Sequence, residues 1–204
     1  MMRAEFEKQA EILRKWQKSV NLVSSDSLDN LENRHFADSA QLADYIPRDT
    51  KLIDMGSGAG FPGVVLAILG YDVTCVESDQ KKCAFLSELK RELNLDNLEI
   101  INDRIENFIK NTGVFDKNTV PARARITNLT DENISFTARA FAPLPKIMKI
   151  LSETGQKHRL FALKGRKIED EISRAKRDFL FDYEIFPSKT GDGYVVIIDF
   201  IGKK

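Results

Sequence analysis

Three things are scarce in this chain, and each scarcity excludes a class of protein. It has two cysteines in 204 residues, which is no disulfide framework, so a reducing compartment and a cytoplasmic location are expected. It has no charge excess: 31 basic residues balance 31 acidic ones, so a polyanion surface can exist only as a local patch. It has no apolar run approaching membrane-spanning length, and its first residues (MMRAEFEKQAEILRKW) lack the apolar core of a signal peptide. No membrane partner is therefore expected. The two histidines, His35 and His158, stand far apart with no cysteine at metal-ligand spacing, so no metal site is expected. The remaining composition, 42% hydrophobic and 30% charged, is that of a globular chain long enough for a proper core.

The stretch Lys51 to Gly63, KLIDMGSGAGFPG, organises the rest. A short apolar strand ends at Asp54. Glycines follow at 56, 58, 60 and 63, and an apolar helix begins. Strand, glycine turn and helix in this order bring backbone close to a nucleotide, since glycine accepts positive φ and carries no side chain to hold a ligand off. From Lys51 onward, strands near 51–54, 72–77, 98–101, 135–139, 159–163, 181–187 and 193–199 alternate with helices near 62–69, 79–94, 104–110, 143–153 and 167–179. The expected fold is α/β: a Rossmann-like class I methyltransferase with a mostly parallel seven-stranded sheet, a C-terminal antiparallel hairpin and an N-terminal helical extension. Residues 1–48 form that extension and 49–204 the methyltransferase domain. Phe6, Ala10, Leu13, Trp16 and Val20 mark an amphipathic helix over 2–20, and a second helical region spans about 27–46, in one or two pieces. Residues 111–134 are polar and aperiodic, an irregular insertion with room for a small hairpin near 124–129.

Two nucleotides compete for the glycine loop. Gly58-Ala59-Gly60-Phe61-Pro62-Gly63 matches the dinucleotide pattern G-x-G-x-x-G, a weak signal alone. Read instead as Asp54-x-Gly56-x-Gly58, the loop places a carboxylate at the strand end. Facing a ligand there, it repels a pyrophosphate and attracts the cationic S-adenosylmethionine. Glu77 closes the next strand about 20 residues on, the spacing of an acid that accepts from ribose hydroxyls of either nucleotide. After the third strand, Asp103 caps a helix and Ile105 is placed to pack on an adenine ring. S-adenosylmethionine leads, ahead of a dehydrogenase and of a cofactor-binding protein without activity.

Missing motifs narrow the reaction. The fourth strand runs into Arg139-Ala140-Phe141-Ala142-Pro143 rather than the Asn/Asp-Pro-Pro-aromatic of amino-group methylases. A pyrimidine-carbon methylase needs a cysteine nucleophile, and Cys75 and Cys83 belong to the second strand and its helix. Guanine N7 suits a site without such groups: its lone pair is free at neutral pH, so alignment and exclusion of water suffice. Other residues stay open on spacing alone. Arg34 and Asp38, four apart on a helix, read as a local ion pair with His35 as packing or cap. Lys164 reads as an exposed strand-end cation.

GSGAGFPG, NLVS, RHFADS, VESDQKKCAFL, NDRIENF, TARAFAPL and LKG, in that order along nearly the whole chain, together resemble the RsmG family, also called glucose-inhibited division protein B. The resemblance implies methyl transfer from S-adenosylmethionine to N7 of one guanosine in bacterial 16S ribosomal RNA. Action on another RNA or a small molecule is the alternative. It implies cofactor contacts at Gly56, Gly58, Phe61, Ile105, Glu106 and Arg139, with Glu77 on the ribose. It implies RNA contacts at Arg34, His35 and Lys164, and no named catalytic residue. Arg139 has two roles open to it, the methionine carboxylate first and an RNA phosphate second. The partner is 16S rRNA or a small-subunit precursor, and a monomer is expected. The 111–134 insertion departs from the family, where that link is short.

Overall fold

The computed structural model describes residues 3–113 and 133–204. The expected hairpin near 124–129 lies outside the described residues. Seven strands form one sheet: β1 (Lys51–Met55), β2 (Asp72–Glu77), β3 (Leu98–Asn102), β4 (Ile134–Arg139), β5 (His158–Lys164), β6 (Phe179–Pro187) and β7 (Tyr194–Lys203). Their order is β3-β2-β1-β4-β5-β7-β6. β1 to β5 are parallel, and β7 runs antiparallel between β5 and β6. This is the fold class expected from the strand–helix alternation and the final turn.

The strands are apolar on both faces, as a sheet covered on both sides must be. Side chains alternate between two cores with the period of the pleat. Leu52, Val73, Cys75, Phe161, Leu163, Val195 and Ile197 face one core. Ile53, Val76, Leu160, Ala162, Val196 and Ile198 face the other. The first core is covered by α1 (Ala4–Gln17), α4 (Gly63–Ile68) and α5 (Gln80–Glu92), the second by α6 (Ile105–Gly113), α7 (Leu144–Ser152) and α8 (Ile168–Ala175).

The first 48 residues share the first core. Phe6 of α1 stacks on Phe36 at 5.1 Å, and Trp16 meets Phe85 of α5 edge-on at 5.9 Å while donating to Glu88 at 2.9 Å. The helical region expected over 27–46 is broken into α2 (Ser25–Leu28), a π-helical turn over Glu32–Ala37, α3 (Asp38–Ala40) and a 3₁₀ turn over Gln41–Asp44. The π turn falls on the RHFADS stretch. A π turn takes more residues per revolution than an α turn, so the i, i+4 reasoning for Arg34 and Asp38 does not apply to it. They are not paired. Asp38 bonds to Arg139 of β4 instead, with Nε 3.0 Å from Oδ2.

Asp79 is the N-cap of α5 and accepts from the Lys81 and Lys82 amides at 2.8 and 3.2 Å. Among the described residues no helix is long and apolar enough to cross a membrane.

Candidate active site

The glycine loop leaves the carboxyl end of β1, where ligands bind on sheets of this kind. Gly56, Gly58 and Gly60 all have positive φ, at 69°, 52° and 81°. The three are not equivalent. A Cβ on Gly56 would stand 2.5 Å from a ring carbon of Phe141, and one on Gly60 2.6 Å from Val64, so both are pressed against protein. A Cβ on Gly58 would meet nothing nearer than the Gly56 carbonyl at 3.9 Å. Gly58 thus lies on the open side of the loop. Its amide donates to Glu77 at 2.8 Å, and the other oxygen of Glu77 takes the Asp79 amide at 2.9 Å. The carboxylate at the end of β2 is thereby aimed across the cradle, and unused lone pairs remain on both oxygens.

Asp54 corrects the sequence expectation. It does not face a ligand: it is 1% exposed. It accepts from the Gly63 amide at 3.2 Å and from Thr137 of β4 at 3.0 Å. Burial raises its carboxyl to about 6, against the hydrogen bonds that favour its charge. It ties the far end of the glycine loop to the sheet from below, so the electrostatic choice between nucleotides cannot rest on it.

Ile105 is a second correction. Its side chain is 4% exposed and joins Phe108 and Ile109 in the second core, so it is not free to lie on an adenine ring. What the position offers is main chain. Asp103 takes the Arg104 amide at 2.7 Å, and the first-turn amides of α6 at Ile105 and Glu106 have no intrahelical acceptor. Asn102 and the Asp103 amide both bond to the Glu77 carbonyl, at 3.0 and 3.1 Å, which sets this end of β3 beside the cradle.

On the other side, Arg139 at the end of β4 gathers the RHFAD stretch. Nε bonds to Asp38, Nη1 to Nδ1 of His35 at 2.7 Å, and Nη2 to the Arg34 carbonyl. The guanidinium stands 5.8 Å over the Phe61 ring, on which His35 also stacks at 4.7 Å. Burial, then the charges of Arg139 and Arg34, lowers His35 to about 4. It is therefore neutral at pH 7, an acceptor at Nδ1 and packing on its face. Arg34 itself is exposed.

Asp38 was legible as part of RHFADS but its role was not. Its Oδ1 accepts from Gln41 at 2.9 Å and from Thr190 at 3.0 Å, so the β6–β7 turn is latched to the same cluster.

Beside this cluster opens a cleft of about 650 Å³, bordered by Arg34, Arg139, Phe141, Lys164 and Tyr194. A larger groove of about 1110 Å³ lies at the amino ends of β1, β4 and β5, near Thr50 and Arg159, away from every candidate cofactor or RNA residue. Lys164 reaches the cleft wall, but its side chain is only 10% exposed and its ammonium bonds inward, to the Ala142 carbonyl at 2.7 Å and to Glu171 at 2.9 Å. Glu171, which carried no sequence signal, also takes the Leu144 amide at 2.6 Å. Neither cysteine is a thiolate: both are buried, and burial pushes Cys83 up to about 11 and Cys75 well above the usual thiol range.

An open backbone cradle, an aimed acid and free helix amides on one side adjoin a cation-bordered cleft on the other. The GidB family model, described as rRNA small subunit methyltransferase G, matches residues 2–190. The chain belongs to this family. Proteins called ribosomal RNA small subunit methyltransferase G agree with it well. The one from Rickettsia akari is 36% identical over 181 residues, 88% of this chain and 83% of the relative. The one from Gluconobacter oxydans is 38% identical over 196 residues, 94% and 89% of the two chains.

Solved structures agree on the fold. A variant of MtNAS in complex with S-adenosylmethionine superposes with a TM-score of 0.60 at 15% identity, covering 96% of this chain and 74% of that one. A methyltransferase from Geobacter sulfurreducens does so at 0.56 and 13%, covering 98% and 90%. As a member of the GidB family the chain is an S-adenosylmethionine-dependent methyltransferase that acts on small-subunit ribosomal RNA. The open face at Gly58, the acid at Glu77 and the free amides at α6 fit that cofactor: backbone room, a ribose acceptor and donors for a purine edge.

Proposed function

We propose that this enzyme methylates N7 of a single guanosine in bacterial 16S rRNA, in the cytoplasm, on naked rRNA or a small-subunit precursor. The observation that carries the reading is the adjacency of two unlike surfaces. Gly56, Gly58 and Glu77 make one, and the cleft bordered by Arg34 and Arg139 makes the other, with Phe61 and Phe141 between them. Bound in the cradle, S-adenosylmethionine supplies an electrophilic methyl group. The chain's own residues have only to hold and exclude. Glu77 accepts from the ribose, the amides of Ile105 and Glu106 meet the purine edge, and Gly58 admits close approach of the backbone. Arg139 takes the carboxylate with the two N–H groups that Asp38, His35 and Arg34 leave unused. Arg34 borders the RNA side by its charge, and the buried His35 serves that side by fixing Arg139. Guanine N7 carries no proton, so the absence of a placed general base costs the reaction nothing.

Incubation with labelled S-adenosylmethionine, small ribosomal subunits and naked rRNA tests this. Label on one guanine as 7-methylguanosine is the expected result. Label on another atom, or on small molecules alone, rejects it. A second expectation concerns the cradle. Glu77→Ala should weaken cofactor binding by roughly 10-fold or more, the worth of hydrogen bonds to a charged group, when titrated by calorimetry. Affinity within twofold of the unsubstituted chain would remove Glu77 from the site.

A further inference from the structure

Phe141 was named by the sequence only as part of TARAFAPL, and none of the roles above uses its face. β4 ends at Arg139, and two alanines flank the aromatic: Ala140 takes a left-handed φ of 51° and Ala142 follows. The sharp turn at Ala140 brings the ring against the glycine loop, where a Cβ on Gly56 would lie 2.5 Å from it. Yet Phe141 is only half-buried and borders the 650 Å³ cleft. Tyr194 is the other aromatic residue on that border, but it pairs with Lys164 across β5 and β7, toward the hairpin and away from the cradle. One ring therefore touches the cofactor cradle and the cleft together.

The loop that carries it is held without help from RNA. Lys164 grips the Ala142 carbonyl, and Glu171 grips both Lys164 and the Leu144 amide. The ammonium that sequence assigns to RNA is thus neutralised inside the protein and acts as a brace for residues 140–144. A non-glycine residue at positive φ is strained, and a brace on its far side is what such a turn needs.

We propose that Phe141 is the platform on which the acceptor purine stacks, with Lys164 and Glu171 as its positioning residues. The proposal rests on the guanine-N7 reading above. Unpaired bases are held by aromatic side chains because every base has a π-face. The chemistry adds a second reason. As the bond from N7 to the methyl carbon forms, the carbon–sulfur bond breaks and its electron pair leaves on sulfur. Positive charge then appears on the purine. A phenyl face attracts a cation more than a neutral ring, so the contact strengthens toward the transition state and should act on kcat as well as KM.

The test compares Phe141→Leu and Phe141→Trp in the full chain. Leucine keeps apolar bulk against Gly56 without a π-face, and tryptophan keeps the face. Single-turnover methylation of small subunits at saturating RNA is expected to fall about 10- to 100-fold with leucine, the range stacking contributes, and to stay within a few-fold with tryptophan. Cofactor affinity by calorimetry should stay within about threefold for both. Addition of 7-methylguanosine monophosphate should quench tryptophan emission of Phe141→Trp beyond the change seen with Trp16 alone. Wild-type rates with leucine overturn the proposal, as does a parallel loss of rate and cofactor affinity, which would confine Phe141 to the cradle. If tryptophan fails to fold, Phe141→Tyr takes its place with the same expected rate. Failure of the unsubstituted chain to label guanine N7 overturns the functional reading itself, and is distinguishable from either result.

Discussion

Arg139→Ala is expected to lower methyl transfer by at least about 100-fold and cofactor affinity by at least about 10-fold. The guanidinium is the meeting point of three segments that are distant in the chain. It bonds to Asp38, to His35 and to the Arg34 carbonyl, and it stands over Phe61. Its side chain is only 18% exposed and that of Asp38 19%, so solvent replaces these partners poorly. Removing one member of a largely buried ion pair costs roughly 3–5 kcal/mol because the other charge is left behind. Here Gln41 and Thr190 still donate to Asp38, so the lower end applies to stability and the larger loss falls on function.

Arg139→Lys should recover less than 10-fold of the lost rate, since an ammonium cannot reproduce a planar fork directed at three acceptors. Single-turnover rates and calorimetric titration with S-adenosylmethionine measure both. Unchanged cofactor affinity in the alanine variant, with a raised KM for RNA, would transfer Arg139 from the cofactor to an RNA phosphate.

The second large effect is on stability. Asp54→Ala leaves the Gly63 amide and the Thr137 hydroxyl without an acceptor in a fully buried place. At about 1–3 kcal/mol for each orphaned group, the loss is roughly 2–6 kcal/mol, or about 4–24 °C in Tm for a chain of this size. The pH dependence carries a definite sign. The folded carboxyl titrates near 6 and the unfolded one near 3.8. Protonation therefore favours the folded state. That contribution is complete below about 3.8 and is lost as pH rises through about 6, a span of about 3 kcal/mol at most.

Asp54→Asn mimics the protonated form. It still accepts from Gly63 and can donate to Thr137, so it should flatten the pH 4–6 component of stability while keeping most of the Tm at pH 5. Thermal melts of both variants beside the unsubstituted chain across pH 4–8 check this. A gap between Asp54→Ala and the unsubstituted chain that widens toward pH 8 would contradict the assignment of a raised carboxyl.

How much of the site was readable differs from residue to residue. Glu77 was readable because its position at a strand end follows from local alternation, and a strand end is where such an acid can reach a cradle. Gly56 and Gly58 were readable as a loop, but that Gly56 abuts Phe141 while Gly58 lies open is a tertiary fact. Asp54 was found and then given the wrong direction. The residue at a strand end can turn up to a ligand or down to the sheet, and the amide of Gly63 and the hydroxyl of Thr137 decided for the latter. Ile105 was likewise found at the right loop but with the wrong part of the residue in view, since α6 turns its side chain into the core. Glu171 had no signal at all: one carboxylate among the acidic residues at the start of an amphipathic helix looks like a solvated one.

The chain's local patterns determined the fold by themselves. Alternation of period two sorts Leu52 from Ile53 and Val195 from Val196 onto opposite cores, and the turn at Lys189–Gly193 makes β6 and β7 a hairpin. These are short-range consequences of backbone geometry, so sequence suffices for them. The same holds for the family, whose motifs run along the chain in order. Only the tertiary structure decided which charges face a ligand. Asp38 left Arg34 for Arg139, Lys164 turned inward to Glu171, and Phe141 came to rest between cradle and cleft. Each of those outcomes depends on a partner far away in sequence. The energy of a charge or ring is set by what surrounds it in space, and no local spacing encodes that.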